Sequence, residues 1–165
     1  MFKKLFGKAN KNKSETWVSP LSGQVIPIED VPDDMFAEKM LGDGIAINPF
    51  DGQVVSPVEG EIVQVFPTKH AIGIRSKNGI EILIHIGLET VELKGKHFEE
   101  HIKAGDHVQP GDPLITFDYE EVKKKAKSVI TPVIITDSTH VSNLETEKEI
   151  QVVSGKTEVV RYDVE

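Results

Sequence analysis

From Trp17 onward the chain is never apolar for longer than one β-strand. Its Val- and Ile-rich runs, at 23–28, 61–66, 71–75, 80–86, 113–117, 129–135 and 149–153, are five to seven residues long. β-Branched residues suit a pleated, half-buried surface. Between the runs stand Gly42-Asp43-Gly44, Asn78-Gly79, Gly105-Asp106 and Gly111-Asp112-Pro113, which act as breakers. Two stretches alone read as helical: 33–40 after Pro32, and 119–127, where Tyr119, Val122 and Ala126 share a face. Many short strands with frequent turns predict an all-β chain, an antiparallel sandwich or barrel with short helical turns. One segment repeats. Ser19-Pro20-Leu21-Ser22-Gly23-Gln24-Val25 returns thirty-seven residues later as Ser56-Pro57-Val58-Glu59-Gly60-Glu61-Ile62. The echo suggests that two similar hairpin units build one sandwich.

Several function classes are excluded early. The absence of cysteine removes disulfides, thiolate nucleophiles and Cys-type zinc sites. No apolar run approaches the ~20 residues of a membrane span, and no apolar segment follows the basic amino terminus as in a secretory signal. The expected compartment is the cytosol. Five of the 19 basic residues (Lys3, Lys4, Lys8, Lys11 and Lys13) lie in the first thirteen positions, which contain no acid. The remainder sets 14 basic residues against 27 acidic ones, a net charge of −13. A body so acidic repels nucleic acid and favours basic partners. Residues 1–15 read as a tail ahead of a single domain at 16–165. Phe2, Leu5 and Phe6 follow i, i+3, i+4 spacing among lysines, so residues 1–13 suit either a helix making peripheral contact with an anionic membrane or a solvated tail.

The stretch 68–87 bears on chemistry. Asn78-Gly79 is a strong hairpin signal. With a two-residue loop, His85 lies opposite Ile72 and diagonal to His70; with a four-residue loop at 76–79, His70 faces His85 directly. Either odd-sum register puts both imidazoles on one face of the hairpin, within reach of each other. Neutral imidazole is a nucleophile near pH 7, and a second ring beside it could donate a hydrogen bond to the oxygens of a transferring phosphoryl group. Thr68, two residues before His70, could hold its tautomer. The alternatives are two structural histidines on a half-buried sheet, or a zinc site still lacking a third protein ligand. His97-Phe98-Glu99-Glu100-His101 matches an H-x-x-E-H protease pattern, but it sits between Gly95 and Gly105 with room for barely two helical turns. His97, His101 and His107 are expected on the surface.

His85-Ile86-Gly87-Leu88-Glu89-Thr90-Val91-Glu92-Leu93-Lys94-Gly95 resembles the signature of glucose-type enzyme IIA of the sugar phosphotransferase system. The likeness continues through Ser19–Gly23, Asp30-Val31-Pro32-Asp33, Phe36-Ala37-Glu38-Lys39, 42–47, Thr68-Lys69-His70-Ala71, Ala126-Lys127-Ser128 and Thr131-Pro132-Val133, covering roughly 16–162. It implies a β-sandwich of the duplicated hybrid motif type and a phosphotransferase with a phosphohistidine intermediate. His85 would accept a phosphoryl group from the histidine-containing phosphocarrier protein and pass it to the IIB domain of a sugar transporter. His70 would support the phosphoryl group and Thr68 would orient His70. Asp33, Phe36, Phe66, Leu83 and Glu89 would meet the partners. The same resemblance implies that zinc can bind between His70 and His85 with a partner's help, and that no cofactor is required. A regulatory binding role when unphosphorylated is compatible with it. Two other classes remain open: an interaction module with structural or zinc-binding histidines, and, ranked last, a zinc peptidase on a related sandwich. The latter would need a His-x-His pair, whereas Ile84 and Ile86 flank His85.

Overall fold

The computed structural model describes residues 13–165; the expected amphipathic or solvated segment at 1–12 lies outside the described residues. The first strand, β1 (Lys13–Val18), takes in residues 13–15, so that end of the expected tail is built into a sheet. There follow β2 (Gly23–Pro27), the one-turn helix α1 (Asp34–Ala37), β3 (Asp43–Pro49), β4 (Gln53–Val55), β5 (Gly60–Val65), β6 (Ala71–Ser76) and β7 (Glu81–His85). The second half contains β8 (Phe98–Glu100), β9 (His107–Val108), β10 (Pro113–Phe117), α2 (Tyr119–Lys125), β11 (Thr131–Ile135), β12 (Val141–Thr146), β13 (Gln151–Val152) and β14 (Glu158–Val164). Among the described residues the pairings are all antiparallel. Both helices fall where expected but are shorter, each opened by an aspartate: Asp33 accepts from the Met35 N–H and Asp118 from the Glu121 N–H.

The strand order shows a duplication. Among the described residues, the large sheet runs β9-β5-β6-β7-β11-β3-β2-β13, and two smaller sheets run β4-β10-β8 and β1-β14-β12. Reading outward from the β7–β11 junction, β6 answers β3, β5 answers β2 and β9 answers β13. The repeated Ser-Pro segments occupy equivalent places. Ser19 Oγ donates to the Leu21 carbonyl at 2.6 Å and Ser56 Oγ to the Val58 carbonyl at 2.7 Å. The two halves also exchange one bond each: Val18 N–H to the Pro57 carbonyl (3.1 Å) and Val55 N–H to the Pro20 carbonyl (2.9 Å). Val18 and Val55, like Pro20 and Pro57, are thirty-seven residues apart, the interval of the sequence echo.

Period-two alternation splits the apolar residues of the central strands between two cores. Ile82 and Ile84 of β7, Ile45 and Ile47 of β3, and Val133 and Ile135 of β11 join the main core with Trp17, Ile62 and Ile72. Ala46 and Ile134 point the other way and join Ile28, Val31, Phe36 and Leu88 in a smaller cluster, against which Leu83 packs. Gly44, expected in a turn, instead lies inside β3, where a Cβ would sit 2.2 Å from the Val133 carbonyl oxygen. Close strand approach, not turn geometry, requires glycine there.

The β6–β7 hairpin departs from both expected registers. Its pairs are Ala71 with His85 and Ile72 with Ile84, an even sum, because the loop is the three residues Lys77, Asn78 and Gly79. Gly79 takes φ +90°, as three-residue hairpin loops require. A buried carboxylate holds the loop from sixty-one residues away. Glu15 accepts from Ser76 Oγ (2.7 Å), Tyr162 Oη (2.6 Å) and the Asn78 N–H (3.3 Å), and Trp17 Nε1 donates to the same Tyr162 oxygen (2.9 Å). Burial and the bond to Glu15 push the Tyr162 phenol well above its ordinary value. Glu15→Ala would leave the Tyr162 and Ser76 hydroxyls without their acceptor, at a cost of about 2–3 kcal/mol. Urea denaturation should show that loss, while Ser14→Ala on the exposed side of the same strand should change little.

Candidate active site

His85 is the last residue of β7, and the β7–β11 ladder covers Val133–Ile135, stopping short of Pro132, which has no N–H to contribute. His70 precedes β6, just after Lys69, which holds φ +61°. The even register would place His70 and His85 on opposite faces if β6 began one residue earlier. It does not. Lys69 redirects the chain, the His70 carbonyl accepts from the Ile86 N–H at 2.6 Å, and the rings meet around the strand end rather than across the ladder. Their centroids are 5.0 Å apart with planes at 78°. The expected contact is present, but by a different route from the one the hairpin arithmetic supplied.

Each ring has a partner on Nδ1. Thr68 Oγ1 shares a hydrogen bond with His70 Nδ1 at 2.6 Å. His85 Nδ1 lies 2.8 Å from the Gly87 carbonyl oxygen. A carbonyl can only accept, so in this bond Nδ1 carries the proton and the neutral ring keeps its lone pair on Nε2. Gly87 has φ +72°, and a Cβ there would lie 2.6 Å from Thr90 Cγ2 and 2.8 Å from the Ser128 carbonyl oxygen. Only glycine makes this turn.

Phe36, from α1, packs on His85 at 5.2 Å between centroids, and Phe66 meets His70 edge-on at 5.6 Å. Leu83, two residues before His85 on β7, is half-buried against the smaller cluster. Asp33 is half-buried at the start of α1, and Glu89 is exposed with φ +59°, its carboxylate 4.0 Å from Lys127 Nζ. The expected site residues therefore gather at one end of β7. His97, His101 and His107 do not join them. His101 bonds Thr116 Oγ1 at 2.7 Å, His107 sits 3.4 Å from Glu59, and the 97–101 segment contains strand β8 instead of a helix. Sequence reasoning gives no role to Thr90 and Thr131, which touch the Ile86–Gly87 backbone, or to the Gly87 carbonyl. Thr90 has a local signal, since a threonine four residues after Ile86 can reach back to its carbonyl. Thr131, forty-four residues after Gly87, has none.

Burial sets the electrostatics. It pushes His70 down from 6.5 to about 4, helped by the neighbouring His85. Burial also lowers His85, while the Gly87 carbonyl and the Asp33 charge favour its protonated form. Both rings are neutral near pH 7.

Fold and site together define a duplicated β-sandwich protein with an oriented pair of neutral imidazoles at one strand end. Residues 15–141 match the family described as phosphoenolpyruvate-dependent sugar phosphotransferase system, EIIA 1, and the chain belongs to that family. It is 55% identical over 161 residues to the glucose-specific EIIA component of Bacillus cereus, covering 98% of each chain. It is 51% identical over 165 residues to the counterpart from Staphylococcus epidermidis, covering 99% of each. Among solved structures it resembles glucose permease IIA from Mycoplasma capricolum, with a TM-score of 0.85 and 42% identity over 90% of this chain and 96% of that one. Among the described residues no helix is long and apolar enough to cross a membrane.

The His70 environment has a consequence for stability. Between pH 6.5 and 4 the unfolded chain's histidine takes a proton that folded His70 refuses, so stability should fall as the pH drops through that window. The loss should reach up to about 3 kcal/mol. Denaturation of His70→Gln should be correspondingly less pH-dependent. An equally steep curve in the variant would show that His70 is not responsible.

Proposed function

We propose that this protein is the phosphohistidine carrier of a glucose-type sugar phosphotransferase system. His85 accepts the phosphoryl group from the histidine-containing phosphocarrier protein and hands it to a cysteine on a transporter IIB domain. The observation that carries this reading is the bond from His85 Nδ1 to the Gly87 carbonyl, which leaves Nε2 as a neutral nucleophile beside a second imidazole. As the Nε2–P bond forms, the donor's N–P bond breaks and its ring leaves with the electron pair. Positive charge develops on the His85 ring, where the Gly87 carbonyl and Asp33 stabilise it. In the onward step a thiolate attacks phosphorus and His85 recovers its lone pair. His70, held by Thr68, offers a hydrogen bond to the phosphoryl oxygens during transfer.

Partner contact fits the rim. Phe66 and Leu83, both half-buried, supply apolar surface, and the exposed Met35, Met40 and Val91 lie on the segments that carry Phe36 and Glu89. Phe36 itself, expected to meet the partners, is buried in the smaller cluster and backs the His85 ring instead. Asp33 and Glu89 place acid beside them, complementary to a basic carrier. A zinc ion could use the same two histidines, because both Nδ1 atoms are occupied and an oriented Nε2 is the usual ligand. Among the described residues no cluster of three or more metal-ligating side chains exists, so its remaining ligands would come from a partner.

With phosphoenolpyruvate, enzyme I and the phosphocarrier protein, the chain should gain the mass of one phosphate. The product should be lost in acid and kept in base, as a phosphoramidate is. Labelling that persists in a folded His85→Ala protein would refute the assignment. His70→Gln should still accept phosphate but pass it to IIB roughly 10²–10³-fold more slowly, a loss of about 3–4 kcal/mol. Rapid-quench measurement of the two half-reactions decides this point, and wild-type rates in both would remove His70 from the mechanism.

A further inference from the structure

The carbonyl that orients His85 belongs to a residue held in place by two buried threonines. Thr90 and Thr131 are both fully buried. Thr90 Oγ1 donates to the Ile86 carbonyl, and the Gly87 N–H donates to Thr131 Oγ1 at 3.2 Å. The Ile86 C=O and the Gly87 N–H are opposite ends of one peptide group. Thr131 gives its own hydroxyl proton to the Val129 carbonyl at 2.9 Å, which leaves its oxygen to accept from Gly87. The Gly87 carbonyl lies on the next peptide, whose Leu88 N–H donates to the Ser128 carbonyl at 2.9 Å. With the Ile86–Gly87 plane gripped from both sides and Gly87 at φ +72°, the two peptides that flank the Gly87 Cα are both held, and little freedom remains in the direction of that carbonyl.

We propose that Thr90 and Thr131 are positioning residues for the reaction at His85: by clamping the Ile86–Gly87 peptide they aim the Gly87 carbonyl at Nδ1 and so hold the ring in the tautomer whose Nε2 is free. This rests on the reading of His85 as the phosphoryl acceptor. Neither threonine hydroxyl is hydrogen-bonded to His85, whose Nδ1 partner is the Gly87 carbonyl. Both act through a backbone group that any residue could in principle supply, which is why nothing about the imidazole's own neighbours in sequence announces them. The clamp also links two distant parts of the chain, since Thr90 follows β7 whereas Thr131 opens β11. A threonine that only filled space in the core would have no need to place its hydroxyl on this peptide, yet both hydroxyls meet it, one at each end.

The test is made on the full chain with Thr131→Val, which keeps the shape and deletes the acceptor, and with Thr131→Ser, which restores it. Long-range proton–nitrogen spectra report the tautomer of His85 with no phosphoryl donor present. In the wild type and Thr131→Ser, Nδ1 should carry the proton. In Thr131→Val both tautomers should be populated, and phosphoryl uptake should slow by about 10-fold with KM for the phosphocarrier protein unchanged, the loss expected when a histidine's orienting partner is removed. If Thr131→Val does not fold, Thr90→Val and Thr90→Ser make the same comparison from the carbonyl side. A folded valine variant with the wild-type tautomer and rate would overturn the clamp. Were His85→Ala still phosphorylated while the tautomer shifted in Thr131→Val, the carrier reading would fail and the clamp would survive as structure. The two failures are thus distinguishable.

Discussion

Two reciprocal backbone bonds, Val18 to Pro57 and Val55 to Pro20, close one half of the molecule on the other, and the rest of the architecture follows from that exchange. Each half supplies a Ser-Pro corner whose backbone is engaged by a distant turn: Ser19 by Gly155 and Thr157, Ser56 by Gly111 and Asp112. The turn glycines themselves meet, since a Cβ on Gly155 would lie 3.4 Å from the Gly111 Cα. Neither half buries its apolar strands alone. Together they form one large sheet, symmetric about the β7–β11 junction, with the main core on one face. That symmetry is broken where chemistry resides: Ile84 faces Val133 across the junction, but β7 runs on to a histidine while β11 has a proline, Pro132, as its second residue.

The site uses burial for two opposed purposes. Desolvation keeps the imidazoles neutral and therefore nucleophilic, and a buried polar group demands a partner. Those partners are chosen so that each ring is fixed through Nδ1. For His85 the same carbonyl that defines the tautomer also stabilises positive charge on the ring, as Asp33 does at longer range. A fully exposed pair would be protonated more readily and held less firmly. Apolar neighbours such as Phe36 and Phe66 thus contribute to the electrostatics as much as to packing.

What can be read from the residues is local. Val- and Ile-rich runs and their Gly and Pro breakers locate most strands of the large sheet, because a strand's length and alternation are written in its own composition. The neighbourhoods of His70 and His85 carry the site, since Thr68, Phe66, Leu83 and Gly87 are within a few residues of them. Gly44 reads as a turn residue because a glycine required by a neighbouring strand looks the same as one required by φ. The 97–101 pattern looks metal-binding only as a string of letters; paired along β10, its two histidines do not converge.

Composition, turn residues and the two histidines were determined by the sequence alone, and so was the duplication, visible as one echoed heptapeptide. The hairpin register was not. Its loop closes on Glu15, whose carboxylate reaches Ser76 and Asn78 only after β1 has joined β14. The tautomer of His85 was likewise undecided until Thr131 arrived from β11 to hold the Gly87 N–H. Both depend on hydrogen bonds between groups more than forty residues apart. A pairing of that kind has no local signature, because its energy exists only once the intervening chain has folded and excluded water from the bond.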